Sequence, residues 1–345
     1  MTPLLSETLT QHKEALDRSM LAFLDGLDTP SGSFPRESLR SIRDFVTRGK
    51  GIRGSLFLHA VSLLGQDRDA FMRVAVSLEL MHAGLLIQDD VMDRDVLRRG
   101  RETVFGKLRH AYNDNLAGSL SFLTGDICFF LADKALLALK ADDAMKLRLL
   151  EKLNEEITQV NFAQMNDVLM GQEKTEPDLA VIESVYLHKT ARYTFSLPLS
   201  LAGMAAGQAD ATIAKMEKFG EHAGFLFQLR DDELSLYGDE KVTGKQAGND
   251  IRENKKTIIR HFLFSAVTGE EKKLLSEIFG ASRVTPDDLT YVRNLIVTTG
   301  VASKLERVKK ERMEAVEGIL GTFTISQPLL LFLRELASFA LKRSK

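Results

Sequence analysis

The stretch VAVSLELMHAGLLIQDDVMDRD, Val74 to Asp95, decides the reading of this chain. From Val74 to Gln88 it is apolar on most faces of a helix, a pattern that belongs in the middle of a bundle and not on its surface. It then turns abruptly acidic. Asp89 and Asp93 stand four apart and share one helical face, with Asp90 as their neighbour. Like charges at that spacing destabilise a helix, and carboxylates packed this closely need a cation. Oxygen ligands suit Mg2+, which keeps several waters and completes its shell with substrate phosphate.

Outward from this segment, apolar residues recur at three- and four-residue spacing near 5–26, 36–48, 53–65, 68–93, 115–140, 143–171, 178–206, 210–236, 256–266, 270–279, 286–299, 301–321 and 328–343. Asn115–Leu139, like Val74–Gln88, is apolar on most faces. No alternating run bounded by hairpin turns is evident. The expectation is an all-α bundle of about ten or more helices. No linker divides the chain, so residues 1–345 read as one domain, with an N-terminal helix near 5–26, the chemistry within 49–257 and C-terminal helices near 270–343. Asp28–Pro35 reads as a loop. Asp239–Asn254 is the longest polar, Gly-containing stretch, and long internal loops of that kind are often functional.

Composition excludes several classes. Of 345 residues, 44% are hydrophobic and 27% charged, ordinary for a globule with a sizeable core. Lys and Arg total 46 against 48 Asp and Glu, so the basic excess of a general nucleic-acid binder is missing. No run approaches the roughly 18 apolar residues of a membrane span. The N-terminus lacks the basic segment and apolar core of a secretory signal. The single cysteine, Cys128, excludes an intrachain disulfide and a multi-Cys zinc site, and a reducing, cytoplasmic compartment is expected.

The acidic chemistry recurs. Phe227-Gln-Leu-Arg-Asp-Asp-Glu-Leu-Ser235 places Asp231 and Asp232 after the mostly apolar run Ala223–Leu229. One such cluster alone reads equally well as a solvated helix end; two of the same kind favour a metal site. A dinuclear iron bundle would need paired Glu-x-x-His motifs, and Glu79-Leu-Met-His82 stands alone near a cluster. Metal-bound carboxylates facing a diphosphate also need cations to hold the remaining negative charge. Gly49-Lys-Gly-Ile-Arg-Gly54 sets Lys50 and Arg53 three apart, between glycines that let the backbone approach a phosphate. Arg98 and Arg99 follow the first cluster. Lys189-Thr190 interrupts the mainly apolar run Val185–Leu201, and Lys245, Lys255 and Lys256 lie in or beside the late polar loop.

Together these motifs resemble those of the trans-isoprenyl diphosphate synthases, or polyprenyl synthetases, from about Gly49 to Thr257 and weakly beyond. His82, Asp89-Asp-Val-Met-Asp93 and Arg98-Arg-Gly100 resemble the family's first aspartate-rich motif; Phe227-Gln-x-x-Asp-Asp232 resembles the second. Gly49-Lys-x-x-Arg53, Gln164-x-x-Asp167, Lys189-Thr190, Gly244-Lys245 and Asp250-Ile-x-x-x-Lys255 resemble further family motifs. The resemblance implies an all-α single domain of the type I isoprenoid synthase fold, usually a homodimer, with a deep central cavity. It implies head-to-tail condensation of isopentenyl diphosphate with dimethylallyl, geranyl or farnesyl diphosphate, with three Mg2+ ions bound. Carried over, Asp89, Asp93 and Asp231 bind metal, with Asp90, Asp232 and Asp167 in support. Arg98, Lys189 and Lys245 hold the allylic diphosphate. Lys50, Arg53, His82 and Arg99 hold isopentenyl diphosphate, Thr190 and Gln228 lie near the reacting carbons, and Lys255 belongs to the binding set.

Two positions depart from the family pattern. Ser235 stands where the second motif usually has a third aspartate, and Ala163 precedes Gln164 where glycine is common. A regulatory subunit without catalysis and a type I terpene cyclase are the competing readings. The intact aspartates speak against the first, and Lys50, Arg53 and Arg99 against the second. For product length, the helix before Asp89 carries Leu85 and its neighbour Gly84 one turn back and Met81 two turns back, roughly 12 Å away at about 1.5 Å per residue. Relatives that stop at fifteen carbons have aromatic rings at the places of Gly84 and Leu85. Their absence points to a product of twenty carbons or more, with Met81, Phe129 or Phe130 as the next floor. Close helix packing is the other explanation of Gly84.

Overall fold

The structure, a computed structural model, describes residues 3–28, 31–98, 100–238 and 247–343. The helices form nearly where the spacing puts them. They are α1 (Pro3–Asp25), α2 (Ser33–Val46), α3 (Ile52–Leu63), α4 (Met72–Met92), α5 (Val104–Leu108), α6 (Asp114–Leu137), α7 (Asp143–Gln172) and α8 (Leu179–Val185). A π-helix, Tyr186–Ser196, continues α8 and leads into α9 (Leu197–Ala205). Then come α10 (Asp210–Tyr237), α11 (Asn249–Arg252), α12 (Ile258–Ala266), α13 (Gly269–Ile278), α14 (Pro286–Thr298), α15 (Val301–Gly321) and α16 (Gln327–Lys342). Side chains fix several starts. Asn113, Asp142 and Thr257 each accept a hydrogen bond from a first-turn N–H of α6, α7 and α12. Thr285 and Asp288 form a capping box around Pro286.

α4 is the central helix that its sequence requires. Every residue from Val74 to Met81 is buried, Ser77 and Glu79 included. A larger core gathers residues of α1–α7, the π-helix, α9, α10, α15 and α16, and a smaller one lies among α8, α10 and α11–α15. α10 serves both, with Phe219 and Leu226 in the first and Phe225 and Leu229 in the second.

Three features differ from the sequence expectation. A two-stranded antiparallel ribbon, β1 (Leu97–Arg98) with β2 (Arg101–Glu102), follows α4. Two residues per strand are too few to show alternation. α5 and α11 are single short turns below the length at which periodicity is visible. The π-helical hydrogen bonding of Tyr186–Ser196 leaves no composition signal. It coincides with a close approach to α10, where a Cβ on Gly224 would fall 2.4 Å from Ala191 Cα and one on Gly220 would fall 2.5 Å from Ser196 Cα.

The N-terminal helix is tied down through imidazoles. His12 Nε2 lies 3.4 Å from His59 Nδ1 of α3, and His12 Nδ1 lies 3.3 Å from Arg68 Nη1. His59 meets Phe332 of α16 edge-on, with ring centroids 4.5 Å apart. Burial first, then the His59 and Arg68 charges, lowers the His12 pKa from 6.5 to about 4, against a weaker opposing pull from Asp69. The folded value lies below the unfolded one, so neutral His12 contributes its full stability above pH 6.5 and loses it as the pH falls toward 4. Urea denaturation across that window should show the wild type losing roughly 1–2 kcal/mol more than His12→Phe, after allowance for solvent screening. Equal acid sensitivity of the two proteins would remove His12 from the account.

Candidate active site

The first acidic cluster ends α4. Arg94 then adopts a left-handed conformation (φ 55°), and Gly100 (φ 72°) closes the ribbon, so the chain doubles back and lays Arg98 over the cluster. Arg98 Nη2 donates to Asp89 Oδ2 at 3.2 Å and Arg98 Nε to Asp90 Oδ1 at 2.5 Å. Asp89 Oδ1 also accepts from Gln164 Nε2 of α7 at 3.1 Å, with Lys189 Nζ 3.7 Å away. Asp90 is fully buried and its Oδ2 has no hydrogen-bond partner. Burial lifts its pKa to about 7 in spite of Arg98. Asp93 rises to about 6, through burial and then the charge of Asp89, and Lys255 Nζ lies 3.8 Å from it.

The second cluster lies on α10. Asp231 Oδ1 accepts from Arg343, whose guanidinium sits 3.8 Å above the Phe227 ring. Asp232 is buried; it accepts from the Tyr186 hydroxyl and, at 2.8 Å, from Gln228 Nε2. Burial, then the charge of Asp250, holds the Asp232 pKa well above the carboxylate range. Ser235 secures the returning chain: its Oγ accepts the Asp250 N–H at 3.3 Å and its carbonyl the Gly248 N–H at 2.8 Å. The position of the missing aspartate thus anchors the segment that brings Asp250 to the cluster.

The π-helix joins the two clusters. Lys189 donates to Asp167 of α7 and faces Asp89, while Thr190, the next residue, donates to Gln228 Oε1 at 2.7 Å. Burial opposes the charge of Lys189, but Asp167 and Asp89 outweigh it and raise its pKa. Burial likewise opposes Lys255, and Asp250, Asp93 and Glu253 outweigh it and hold it well above the lysine range. Lys256 turns away, 3.1 Å from Glu176.

A separate basic group lies at the start of α3. Arg53 Nη2 donates to Thr194 Oγ1 at 2.6 Å, and its guanidinium stacks 4.0 Å over Tyr193. The Tyr193 hydroxyl is hydrogen-bonded to His82 Nδ1. Gly51, the N-cap of α3, has no side chain to cap it; Glu79 Oε1 of α4 instead accepts the Gly54 N–H at 2.8 Å. Glu79 and His82 therefore serve α3 and Tyr193 respectively, and not a shared iron. Lys50 is exposed. Arg99, Gly244 and Lys245 lie outside the described residues.

Among the described residues, no three His, Cys, Asp or Glu side chains converge as a closed metal site. The donor set is nonetheless hard oxygen, half-exposed at Asp89, Asp93 and Asp231, and neutralised by the side chains of Arg98, Lys189, Lys255 and Arg343. Such an open, cation-demanding set fits Mg2+ with its shell completed by ligand oxygens.

The candidate chain-length residues separate. Leu85 is half-buried, as are its neighbours His82, Leu86 and Asp89 on α4. Met81 is in the core at 2% exposure. Gly84 faces α6: a Cβ there would fall 2.8 Å from the Gly125 carbonyl oxygen and 2.8 Å from the Phe129 ring. Gly84 thus allows close helix packing, and Phe129 fills the space its side chain would take. Phe130 is 74% exposed and points out of the bundle, so it forms no floor. Sequence reading missed Tyr186, Tyr193 and Arg343, and it weighed Glu79 only as an iron ligand and not as the cap of α3. Glu79 had a signal, a carboxylate inside an apolar run; the others are ordinary residues until the fold brings them to the aspartates.

The polyprenyl synthetase family model matches residues 36–296. The geranylgeranyl diphosphate synthase of Saccharolobus solfataricus is 30% identical over 306 residues, covering 87% of this chain and 88% of that protein. The farnesyl diphosphate synthase of Geobacillus stearothermophilus is 30% identical, covering 80% and 89%. The crystal structure of geranylgeranyl pyrophosphate synthase from Corynebacterium glutamicum, complexed with isoprenyl diphosphate and magnesium, superposes with a TM-score of 0.88 at 27% identity, over 97% of this chain and 99% of that one.

The α4–α6 contact yields a stability prediction. Gly84→Phe has no room without parting the two helices and should lower stability by about 3 kcal/mol or more. Thermal denaturation checks this, and a fully stable variant would mean that the Gly84 face is open.

Proposed function

The chain belongs to the polyprenyl synthetase family and is a trans-prenyltransferase, and we propose that it condenses isopentenyl diphosphate head to tail with dimethylallyl, geranyl or farnesyl diphosphate to give an all-trans prenyl diphosphate of twenty carbons or more. One observation carries the site assignment: adjacent residues Lys189 and Thr190 link Asp89 and Asp167 on one side to Gln228 and Asp232 on the other. Two carboxylate clusters and their counter-cations therefore meet at one place, as a diphosphate with its metal requires.

In this reading Asp89, Asp93 and Asp231 hold Mg2+, three ions in all, and buried Asp90 and Asp232 orient them. When bound, Mg2+ supplies the Lewis acidity that makes diphosphate a leaving group. Arg98, Lys189 and Lys245 hold the allylic diphosphate, and Lys255 steadies the charge between the clusters. Lys50, Arg53, His82 and Arg99 hold isopentenyl diphosphate, with Arg53 oriented by Tyr193 and Thr194. Thr190 and Gln228 lie beside the allylic carbon as its C–O bond breaks. A water-poor cavity would keep water from the cation. The isopentenyl double bond then attacks, and the proton leaves to the released diphosphate.

The reading extends to a single domain, supported by the place of α10 in both cores. It also extends to a homodimer, supported by the exposed apolar side chains Leu123, Ile127 and Phe130 on α6 and Phe162, Met165 and Leu169 on α7. Among the described residues no helix is long and apolar enough to cross a membrane. We place the protein in the cytoplasm, in keeping with its lone, buried cysteine.

Incubation with Mg2+, isopentenyl diphosphate and each allylic starter, followed by chain-length analysis, tests the function; consumption of isopentenyl diphosphate with elongated products is expected. Asp89→Ala should lower turnover about a hundredfold or more, and a folded variant with near wild-type turnover would sink the metal assignment. Product length tests the floor. Leu85→Phe should shorten the main product and Phe129→Ala should lengthen it; unchanged products in both would mean the tail runs along another face.

A further inference from the structure

Tyr186–Ser196 is π-helical over 11 residues, although this geometry is usually confined to single turns. Between Ala191 and Ser196 the segment advances five residues while its partner positions on α10 shift by four, from Gly224 to Gly220. The Tyr186 hydroxyl meets Asp232, the Ala191 backbone seats on Gly224 and the Ser196 backbone on Gly220. In an α-helix five residues overshoot a full turn by roughly 140°. Relaxation to α geometry would therefore break this match and swing Lys189 and Thr190 away from Asp167 and Gln228.

A charge network grips the same segment elsewhere. Arg192 donates through Nε to Glu156 Oε2 at 3.0 Å, through Nη2 to Glu156 Oε1 and through Nη1 to Glu221 Oε1 at 2.5 Å. Glu156, on α7, is 1% exposed and also pairs with Lys152 at 3.1 Å. Lys152 in turn reaches Glu217 of α10 at 2.7 Å. None of these groups touches the aspartate clusters, and the condensation does not use them. Their geometry has a different property: one guanidinium forks onto both helices that flank the π-helix, three residues from Lys189 and two from Thr190.

We propose that Arg192 is a positioning residue that, by bridging Glu156 and Glu221, fixes the π-helical register aiming Lys189 at Asp89 and Asp167 and Thr190 at Gln228. The proposal rests on the assignment of Lys189 and Thr190 to the allylic substrate. Both flanking helices are needed, because a contact to one alone would let the segment rotate against the other. A lysine would keep the charge but lose the planar fork.

The test uses the full-length enzyme. Removing Arg192 alone leaves the buried Glu156 carboxylate with Lys152 as its remaining counter-charge and destabilises the fold, so the informative variant is the neutral pair Arg192→Gln/Glu156→Gln, with Arg192→Lys beside it. In the neutral pair kcat should fall roughly ten- to a hundredfold. Amide hydrogen exchange across residues 186–196 should accelerate, and Arg192→Lys should recover part of the rate. A neutral pair with wild-type kcat, or with reduced kcat and unchanged exchange in 186–196, overturns the proposal. Lys189→Ala separates the levels. Wild-type turnover in that variant overturns the substrate assignment and the positioning role with it. A slow Lys189→Ala beside a wild-type neutral pair overturns the Arg192 proposal alone.

Discussion

Negative charge held in a poorly hydrated space is the constraint on which the rest of this structure depends. Asp89, Asp90 and Asp93 end a helix that is otherwise core, and Asp231 and Asp232 follow an apolar stretch of α10. Two unit charges 4 Å apart interact by about 4 kcal/mol at the effective dielectric of such a site. Burial and mutual repulsion accordingly lift Asp90 to about 7 and Asp93 to about 6. The fold answers with cations from widely separated parts of the chain: Arg98 from the ribbon, Lys189 from the π-helix, Lys255 after α11 and Arg343 after α16. In the proposed function, the same field that demands these counter-charges favours a divalent cation and a diphosphate together.

Bringing two clusters to one place requires α4 and α10 to be held at fixed distances from a common element, and the π-helix is that element. It touches α10 through backbone at Gly220 and Gly224, which permits an approach that no larger residue allows. From that position it sends Lys189 to the first cluster and Tyr186 and Thr190 to the second. Tyr193 and Thr194 turn to Arg53 and His82 at the start of α3. The basic groups and the carboxylates thereby share one rigid reference, and α3 is fixed to α4 by the Glu79 cap.

Much of this was legible in the chain. Three- and four-residue spacing located the long helices, because burial of a helical face demands it. The acidic pairs, Lys189-Thr190 and the glycine-flanked Lys50 and Arg53 carry chemistry that local sequence displays. Two readings changed on folding. Gly84 looked like open space in front of Asp89 and is a helix-packing contact, since the orientation of its missing side chain depends on where α6 lies. Phe130 looked like a floor and faces outward, because its neighbour Phe129 takes the inward direction.

Sequence by itself determined the all-α class, the central burial of α4 and the identity of the acidic and basic groups, since all of these follow from periodicity and side-chain chemistry within a few residues. The tertiary structure alone decided which cation meets which carboxylate, that Ser235 anchors the segment carrying Asp250, that Arg343 reaches Asp231 from the far end of the chain, and that Tyr186–Ser196 is a π-helix. The physical reason is range. Helix formation and amphipathicity are set over one or two turns, whereas ion pairing across 112 positions, as between Asp231 and Arg343, and a π-helical register are settled by packing between elements that the sequence does not place side by side.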